Sequence, residues 1–104
     1  MTSCRLSPLA DQRLDEIYLY TLGQWGDAQA QAYVQNLFEK FEAIAARQAA
    51  WRSIPAEFEV SGYFCRHEHH FIYWRELDDG VIGIVTILHE LMHRMEKLQE
   101  DWHG

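Results

Sequence analysis

The stretch HHFIYWRELDDGVIGIVTILH, residues 69–89, carries the strongest structural signal in this 104-residue chain. Two runs rich in β-branched and aromatic residues, 69–77 and 81–89, lie on either side of a turn sequence that ends in Asp79-Gly80. Such runs are typical of β-strands, and glycine supplies the positive φ angle that a tight hairpin turn requires. The pattern therefore predicts an antiparallel hairpin, and the preceding YFCRHE, residues 63–68, predicts a third strand.

The last of these strands should be buried on both faces. Strict alternation places four residues on each face: Val81, Gly83, Val85 and Ile87 on one, and Ile82, Ile84, Thr86 and Leu88 on the other. Because both sets are apolar, the strand should have a cover on each side. A helical hairpin can supply only one of the covers, which leaves the C-terminal segment or a second protein for the other. Gly83 predicts a bulge or a close approach to the backbone.

Two amphipathic helices are predicted before the sheet. Ser7 and Pro8 form a helix start, and apolar residues then recur at intervals of three and four up to about Trp25. Gly23 and Gly26 should end this helix. The next helix should be capped by Asp27 and should run to about residue 48, which completes a helical hairpin.

The remaining segments complete the predicted fold. SCRLS, residues 3–7, alternates briefly like a short strand, and WRSIPAEFEVSG, residues 51–62, has no steady period and is predicted to be a connecting loop. Residues 91–102 return to helical spacing. Trp25 and Trp51 are assigned to packing. We therefore predict a single α+β domain over residues 1–104, with a short N-terminal strand, an α-helical hairpin, a three-stranded antiparallel sheet segment and a C-terminal helix.

The composition limits the possible functions. The net charge of −7 disfavours a protein that binds phosphates, so non-specific nucleic-acid binding is not expected. We also predict no direct sequence-specific nucleic-acid binding. No apolar run is long enough to span a bilayer, and the N-terminus lacks a signal-peptide pattern, which predicts a cytoplasmic protein without membrane contact. Cys4 and Cys65 are expected to be reduced, half-buried thiols.

The string His89-Glu90-Leu91-Met92-His93 matches the H-E-x-x-H signature of zinc peptidases. That site needs a helix, so that both histidines face one metal ion, and it needs a third ligand. Because His89 ends a predicted strand, a zinc metallopeptidase is only a remote alternative, and we predict no metal, cofactor or catalytic residue. The neighbouring HEHH, residues 67–70, is interpreted as the solvated start of a strand.

The order of elements, with LSPLADQRLDEIYLYTLGQWG (6–26) and YFCRHEHHFIYWRELDDGVIGIVTILHELMH (63–93), resembles the RelE/ParE superfamily of bacterial toxins, and most of all its ParE branch. The resemblance covers nearly the whole chain. It implies a type II toxin neutralised by a ParD-like antitoxin, whose disordered arm folds as it binds, in a hetero-oligomeric complex. It also implies inhibition of DNA gyrase as the mode of action, without a catalytic site of its own.

The RelE branch of the superfamily instead cuts messenger RNA on the ribosome, and this activity is the main alternative. Such cleavage needs cations to stabilise the phosphate and a general acid–base pair. The chain offers arginines and histidines for these roles, but no tyrosine follows Tyr73 and Lys97 is the only lysine in the tail.

The resemblance also suggests a binding surface. The candidate contacts for the target or the antitoxin are Arg66, Phe71, Tyr73, Trp74, Arg75, His89 and Arg94. Leu91 stands where the family commonly has an arginine. Either the site has lost a guanidinium that could pair with carboxylate or phosphate, which would weaken toxicity, or Leu91 packs the tail onto the sheet.

Overall fold

The computed structural model describes residues 4–92 and 94–103, except for the side chains of residues 94 and 95. The predicted α+β fold is confirmed. The elements in chain order are β1 (Cys4–Leu6), α1 (Pro8–Trp25), α2 (Asp27–Ala45), β2 (Arg52–Ser53), a 3-10 turn (Ala56–Phe58), β3 (Tyr63–His67), β4 (His70–Glu76), β5 (Ile82–His89) and α3 (Arg94–His103). The five strands form one sheet in the order β1-β5-β4-β3-β2. Among these described strands, β1 and β5 pair in parallel and the other neighbours pair antiparallel.

Helix α1 begins where the sequence predicts. The hydroxyl oxygen of Ser7 accepts a hydrogen bond from the backbone N–H of Ala10 at 2.9 Å, and Pro8 occupies the first turn. Gly26, with a φ of 92°, ends the helix. Gly23 lies inside the helix and does not interrupt it.

Helix α2 begins differently from the prediction. Asp27 is its first residue and provides no side-chain cap. The Asp27 carboxylate instead accepts hydrogen bonds from the Tyr18 hydroxyl at 2.7 Å and from the Gln31 amide at 2.8 Å. These contacts join the two helices near their connecting turn. Helix α2 ends at Ala45, three residues before the predicted end.

Strand β5 is buried on both faces, as predicted, but its alternation changes phase within the strand. Tyr73 pairs with Thr86, whereas the next residue of β4 pairs with Ile84, so Val85 is an extra residue that forms a bulge. As a result Ile84 and Ile87 lie on the same face of the sheet, so the predicted division of β5 into two faces was wrong. Gly83 is not at the bulge. The side chain of Leu77 lies close to the Gly83 backbone, which agrees with the alternative expectation of a close approach.

Each face of the sheet packs against a different part of the chain. The helical hairpin covers one face through a cluster that includes Leu14, Leu37, Phe41, Ile72, Trp74 and Ile84. The other face carries Ile54, Tyr73 and Leu88, which pack with Leu98 of α3. The C-terminal segment is therefore the second cover of β5. No helix in the described ranges is both long and apolar enough to cross a membrane.

The two tryptophans assigned to packing have different environments. Trp51 donates a hydrogen bond from its indole N–H to the carbonyl of Ile44 at 2.9 Å, and the Arg47 guanidinium lies 3.4 Å from the centre of its ring. Its assignment is confirmed. Trp25 is 66% exposed, so that assignment was wrong. Trp25 is the last residue of α1, where the chain turns away and leaves the indole without a cover.

A candidate protein-binding site beside the end of the last strand

The HEHH segment forms a tight turn between β3 and β4. His67 pairs with His70 across the strands, and Glu68 has a φ of 51°, which allows a two-residue connection. His70 also pairs with His89 at the end of β5. The interpretation of HEHH as a solvated strand start was wrong for His70, which is 9% exposed. The topology thus gathers a strand-end cluster that consists of Arg66, His67, His69, His70, His89 and Glu90.

Glu90 forms hydrogen bonds with two other residues of the strand-end cluster. Its carboxylate accepts hydrogen bonds from Arg66 and, at 2.8 Å, from Nδ1 of His69. The hydrogen bond from His69, followed by attraction to Arg66, lowers the pKa of Glu90. Arg66 also donates from Nε to the carbonyl of Glu68 at 2.8 Å. These contacts fasten the turn after β5 to the β3–β4 turn.

His70 connects the cluster to α2. Its Nδ1 lies 2.6 Å from the hydroxyl oxygen of Tyr33. Burial, aided by the neighbouring histidines, lowers the pKa of His70 to about 4. Burial also raises the pKa of Tyr33 to about 12. Both groups are therefore neutral near pH 7, and their contact holds the sheet to the helix.

The H-E-x-x-H string does not form a helix over its described part. His89 is the last residue of β5, which confirms the predicted strand end, and residues 90–92 form a turn. His93 lies outside the described residues. The backbone N–H of Leu91 donates to Nδ1 of His89 at 3.1 Å, and Glu90 is held by Arg66 and His69. Within residues 4–92 and 94–103, no group of three or more His, Cys, Asp or Glu side chains is placed to hold a metal ion.

A groove of about 350 Å³ lies between α1 and the turn after β5. We call it the α1 groove; its lining residues are Arg13, Glu16, Ile17, Tyr20, His70, Ile87, His89, Leu91 and Met92. Tyr20 and Leu91 are exposed by 64% and 85%. Leu91 therefore does not pack the tail onto the sheet, and that alternative was wrong.

A buried ion pair forms one end of this region. Arg13 donates from Nη2 to both carboxylate oxygens of Asp101 at 3.1 Å, and the Thr86 hydroxyl donates to Asp101 at 2.8 Å. The two charged side chains are only 12% and 6% exposed. Arg13 also donates from Nη1 to Glu16 at 3.2 Å. The contacts join α1, β5 and α3 and fix the position of the groove wall.

The structure brings together only some of the predicted contact residues. Arg66 and His89 belong to the strand-end cluster, and the Arg66 guanidinium lies 5.6 Å from the centre of the Phe71 ring. Phe71 is half-buried and shares its face of the sheet with Tyr73, which is 2% exposed.

The other predicted contacts lie elsewhere. Trp74 is fully buried on the opposite face of the sheet, beside Trp51, and has no surface to offer a partner. The Arg75 guanidinium lies over the Trp102 ring, towards the other end of β4. Arg94 is the first residue of α3, and its side chain lies outside the described part of the chain.

Tyr20, Met92 and the groove between them were not predicted from the sequence. One signal was present, because Tyr20 lies outside the apolar stripe of α1, and a large aromatic residue on the solvent side of a helix has no core to fill. The groove itself depends on where the turn after β5 lies relative to α1, and residue spacing does not encode that distance.

Comparisons with known proteins identify the family. The family model described as "ParE toxin of type II toxin-antitoxin system, parDE" matches residues 4–94. Toxin ParE of Escherichia coli is 29% identical over 104 residues and covers all of both chains. Toxin ParE1 of Caulobacter vibrioides is 33% identical over 95 residues, which are 89% of this chain and 94% of that protein. Toxin ParE1 of Mycobacterium tuberculosis is 30% identical over 87 residues, covering 84% and 88%.

A solved structure agrees with these relationships at the level of the fold. A chain from "Chromosomal ParDE TA system from P. aeruginosa" superposes with a TM-score of 0.67 at 23% identity, and the match covers 86% of this chain and 96% of that one. The family model spans most of the chain, from β1 to the start of α3. The chain belongs to the ParE family of toxins of type II toxin–antitoxin systems.

Proposed function

We propose that this ParE-family toxin is neutralised by a ParD-like antitoxin, and that it acts in the cytoplasm by binding DNA gyrase and stabilising cleaved DNA. The match to a family of parDE toxins supports an antitoxin partner. In this proposal the toxin works by occupying the surface of another protein, and it needs no catalytic residue, metal or cofactor.

The pairing of Arg66 with Glu90 is the observation that carries this choice over RNA cleavage. A ribonuclease site needs a cation that is free to stabilise a phosphate and an acid–base pair with suitable pKa values. Arg66 is already bound to a carboxylate, and so is Arg13. His70 is neutral and bonded to Tyr33. The strand-end cluster is thus better suited to form a rigid binding surface than to act as a general acid or base.

The proposed contact surface consists of the strand-end cluster and its surroundings. Arg66, Phe71 and His89 are its central members, and Arg75 and Arg94 are outlying contacts. Tyr73 packs beside Phe71 on the same face of the sheet and helps to position its ring. Trp74 takes part only as packing, since it is fully buried.

Growth and supercoiling assays test the proposal. Induced expression of the toxin should arrest growth, and co-expression with the small open reading frame beside its gene should restore it. The purified toxin should inhibit supercoiling of relaxed plasmid by purified gyrase and should increase the amount of cleaved DNA released by protease and detergent. Growth arrest with unchanged supercoiling, accompanied by cut messenger RNA in purified ribosomes, would establish the endoribonuclease alternative instead.

A matched pair of histidine variants makes the gyrase test specific. His89→Ala should raise the toxin concentration needed for half-inhibition by about tenfold, the effect expected for one lost contact of moderate strength. His103→Ala is the control, because His103 is an exposed residue at the end of α3. Equal effects of the two substitutions would argue against the strand-end cluster as the gyrase contact.

A further inference from the structure

We propose that His89 donates a hydrogen bond from Nε2 to an acceptor oxygen of gyrase, and that Tyr33, acting through His70, positions the His89 ring for this contact. The inference rests on the proposed gyrase-binding function and assigns a donor atom and two positioning residues to it. Neither Tyr33 nor His70 needs to touch the target.

One contact fixes which nitrogen of His89 carries the proton. The backbone N–H of Leu91 donates to Nδ1 of His89 at 3.1 Å. A ring nitrogen that accepts a hydrogen bond carries no proton, so the proton of the neutral ring lies on Nε2. His89 therefore presents a hydrogen-bond donor on the far side of its ring from the Leu91 N–H.

This donor is available to a partner. Within residues 4–92, Nε2 of His89 has no hydrogen-bond partner. The side chain is half-buried and lines the α1 groove together with the exposed side chain of Leu91. A partly desolvated donor gains more from a well-placed acceptor than a fully exposed donor does, because water satisfies it less well.

The His89 ring is held between two other histidine rings. The His70 ring lies perpendicular to it with the ring centres 5.1 Å apart, and the His69 ring is nearly parallel to it at 6.4 Å. His69 is bonded to Glu90, and His70 pairs with His89 across β4 and β5. These contacts restrict the rotation of the His89 ring, which lowers the conformational entropy lost when a partner binds.

Tyr33 fixes the orientation of the His70 ring. Its hydroxyl oxygen lies 2.6 Å from Nδ1 of His70 and 3.4 Å from the carbonyl oxygen of His67. Because Tyr33 belongs to α2, the contact ties the His70 ring to the helical hairpin. Loss of the hydroxyl would leave Nδ1 of the buried His70 without this partner, and the His70 ring would be free to turn away from His89.

The neighbouring side chains favour a protein acceptor over a DNA phosphate. A phosphate site is built around cations that are free to pair with it. Arg13 and Arg66, the arginines beside this region whose side chains are described, are each bound to a carboxylate. The neutral ring of His89 supplies a hydrogen bond without a charge, which suits a backbone carbonyl or a side-chain oxygen of a protein.

NMR spectroscopy tests the tautomer without gyrase. At about pH 8, where a free imidazole is neutral, long-range proton–nitrogen correlations should place the proton of His89 on Nε2. A proton on Nδ1 would overturn the inference, whatever the toxin does to gyrase. Tyr33→Phe should shift the ring resonances of His70 and His89. Tyr18→Phe is the matched control, because it removes a hydroxyl that is bonded to Asp27 at 2.7 Å elsewhere on the hairpin, and it should leave both rings unchanged.

Two amide variants test the donor. His89→Gln can place an N–H group near the position of Nε2. His89→Asn can place its carbonyl oxygen near the position of Nδ1, where it keeps the bond to Leu91 and offers no donor to the target. In supercoiling by purified gyrase, half-inhibition should need about tenfold more of the asparagine variant, and the glutamine variant should stay within about threefold of the unmodified toxin. Equal inhibition by the two variants would overturn the inference.

A double-mutant cycle tests whether Tyr33 acts through His89. Tyr33→Phe should raise the concentration needed for half-inhibition by about threefold to tenfold, whereas Tyr18→Phe should change it by less than about twofold. In the His89→Ala background, Tyr33→Phe should have no further effect, because no donor is left to position. Equal losses in the two backgrounds would contradict the positioning role. Thermal unfolding by circular dichroism checks that each variant is folded at the assay temperature.

The outcomes separate this inference from the broader proposal. If the unmodified toxin leaves supercoiling unchanged, the proposed function fails, and the contact with gyrase fails with it. If the toxin inhibits gyrase but the two amide variants are equally active, gyrase stands as the target and the assignment of His89 is wrong. A photoreactive residue at position 91, beside His89, should crosslink to a gyrase subunit. A crosslink confined to DNA would overturn the choice of a protein acceptor.

Discussion

Asp101 joins three elements through a single carboxylate. It accepts hydrogen bonds from Arg13 of α1 and from Thr86 of β5, and it is itself part of α3. Its side chain is 6% exposed, so water cannot replace these partners. Loss of one member of a buried pair leaves the other charge desolvated, which costs more than the pair contributes when it is intact.

Asp101→Asn should therefore be strongly destabilising, although it preserves the shape of the side chain. We expect a loss of about 3 kcal/mol in the free energy of unfolding, because the Arg13 guanidinium stays buried with less compensation. Urea unfolding followed by circular dichroism measures the change. Glu16→Gln removes the exposed partner of the same arginine and should cost less than about 1 kcal/mol. Equal losses would contradict a special role for the buried partner.

His70 should make stability depend on pH. The unfolded chain protonates this histidine below about pH 6.5, whereas burial lowers its pKa in the folded protein to about 4. Between these values the unfolded state binds more protons, so stability rises with pH and is lost as the pH falls from 6.5 towards 4. The contribution is on the order of 3 kcal/mol.

His70→Asn tests this dependence because asparagine does not titrate in this range. Urea midpoints are measured from pH 7 to pH 4 for the unmodified protein and for the variant. The difference between the urea midpoints of the two proteins should narrow as the pH falls. The reason is that only the unmodified protein loses the contribution of His70 to the free energy of unfolding. His103→Asn, at an exposed position, should run parallel to the unmodified protein. A constant difference for His70→Asn would contradict the assignment.

At the level of elements, α3 covers the face of the sheet that the helical hairpin leaves open. Gly62 allows α3 to pack closely against the sheet. A Cβ atom at Gly62 would lie 2.6 Å from both the Trp102 ring and the backbone carbonyl oxygen of Trp74. Gly62→Ala should therefore push the end of α3 away from the sheet and lower the free energy of unfolding by roughly 1–3 kcal/mol.

Gly23 in α1 has no neighbour within 4 Å of the corresponding position. Gly23→Ala should stabilise the protein by about 0.5–1 kcal/mol, because alanine favours the helix. Thermal unfolding would show shifts of opposite sign, and a shared sign would contradict the account.

The elements that sequence predicts well are those with a long, uniform period. Helix α1 and strand β5 were located to within a residue at each end, because many positions repeat the same signal. The bulge at Val85 was not predictable from alternation, since both faces of β5 are apolar and a change of phase leaves the pattern unchanged. Strand β2 has only two residues. It is defined by its pairing with β3, and its own residues carry no pattern that predicts a strand.

At the level of the whole molecule, the candidate site depends on long-range placement. The sequence shows that most of the arginine and histidine residues lie in the last forty residues. Their spacing does not predict which residues pair with Glu90 or how exposed Leu91 is. Both follow from the β3–β4 turn and α1 meeting the same strand end. Trp74 illustrates the converse. Its position in an aromatic strand suggested a contact, yet the register places it on the fully covered face.

Sheet order also determines the state of the two thiols. Cys4 lies in β1 and Cys65 in β3, with β5 and β4 between them. Three inter-strand spacings separate the strands by roughly 14 Å, whereas a disulfide needs Cα atoms within about 7 Å. An intramolecular bridge is therefore impossible in this fold, and both cysteines are free.

A thiol titration checks this consequence of the topology. Both thiols should react in the denatured protein, whether or not it has first been reduced. In the native protein the reaction should be slow, because burial raises the pKa of Cys4 to about 11 and also raises that of Cys65, which leaves little reactive thiolate. Cys4→Ser and Cys65→Ser, each titrated alone, assign the two rates. A denatured, unreduced monomer with no reactive thiol would require an intramolecular bridge and therefore a different strand order.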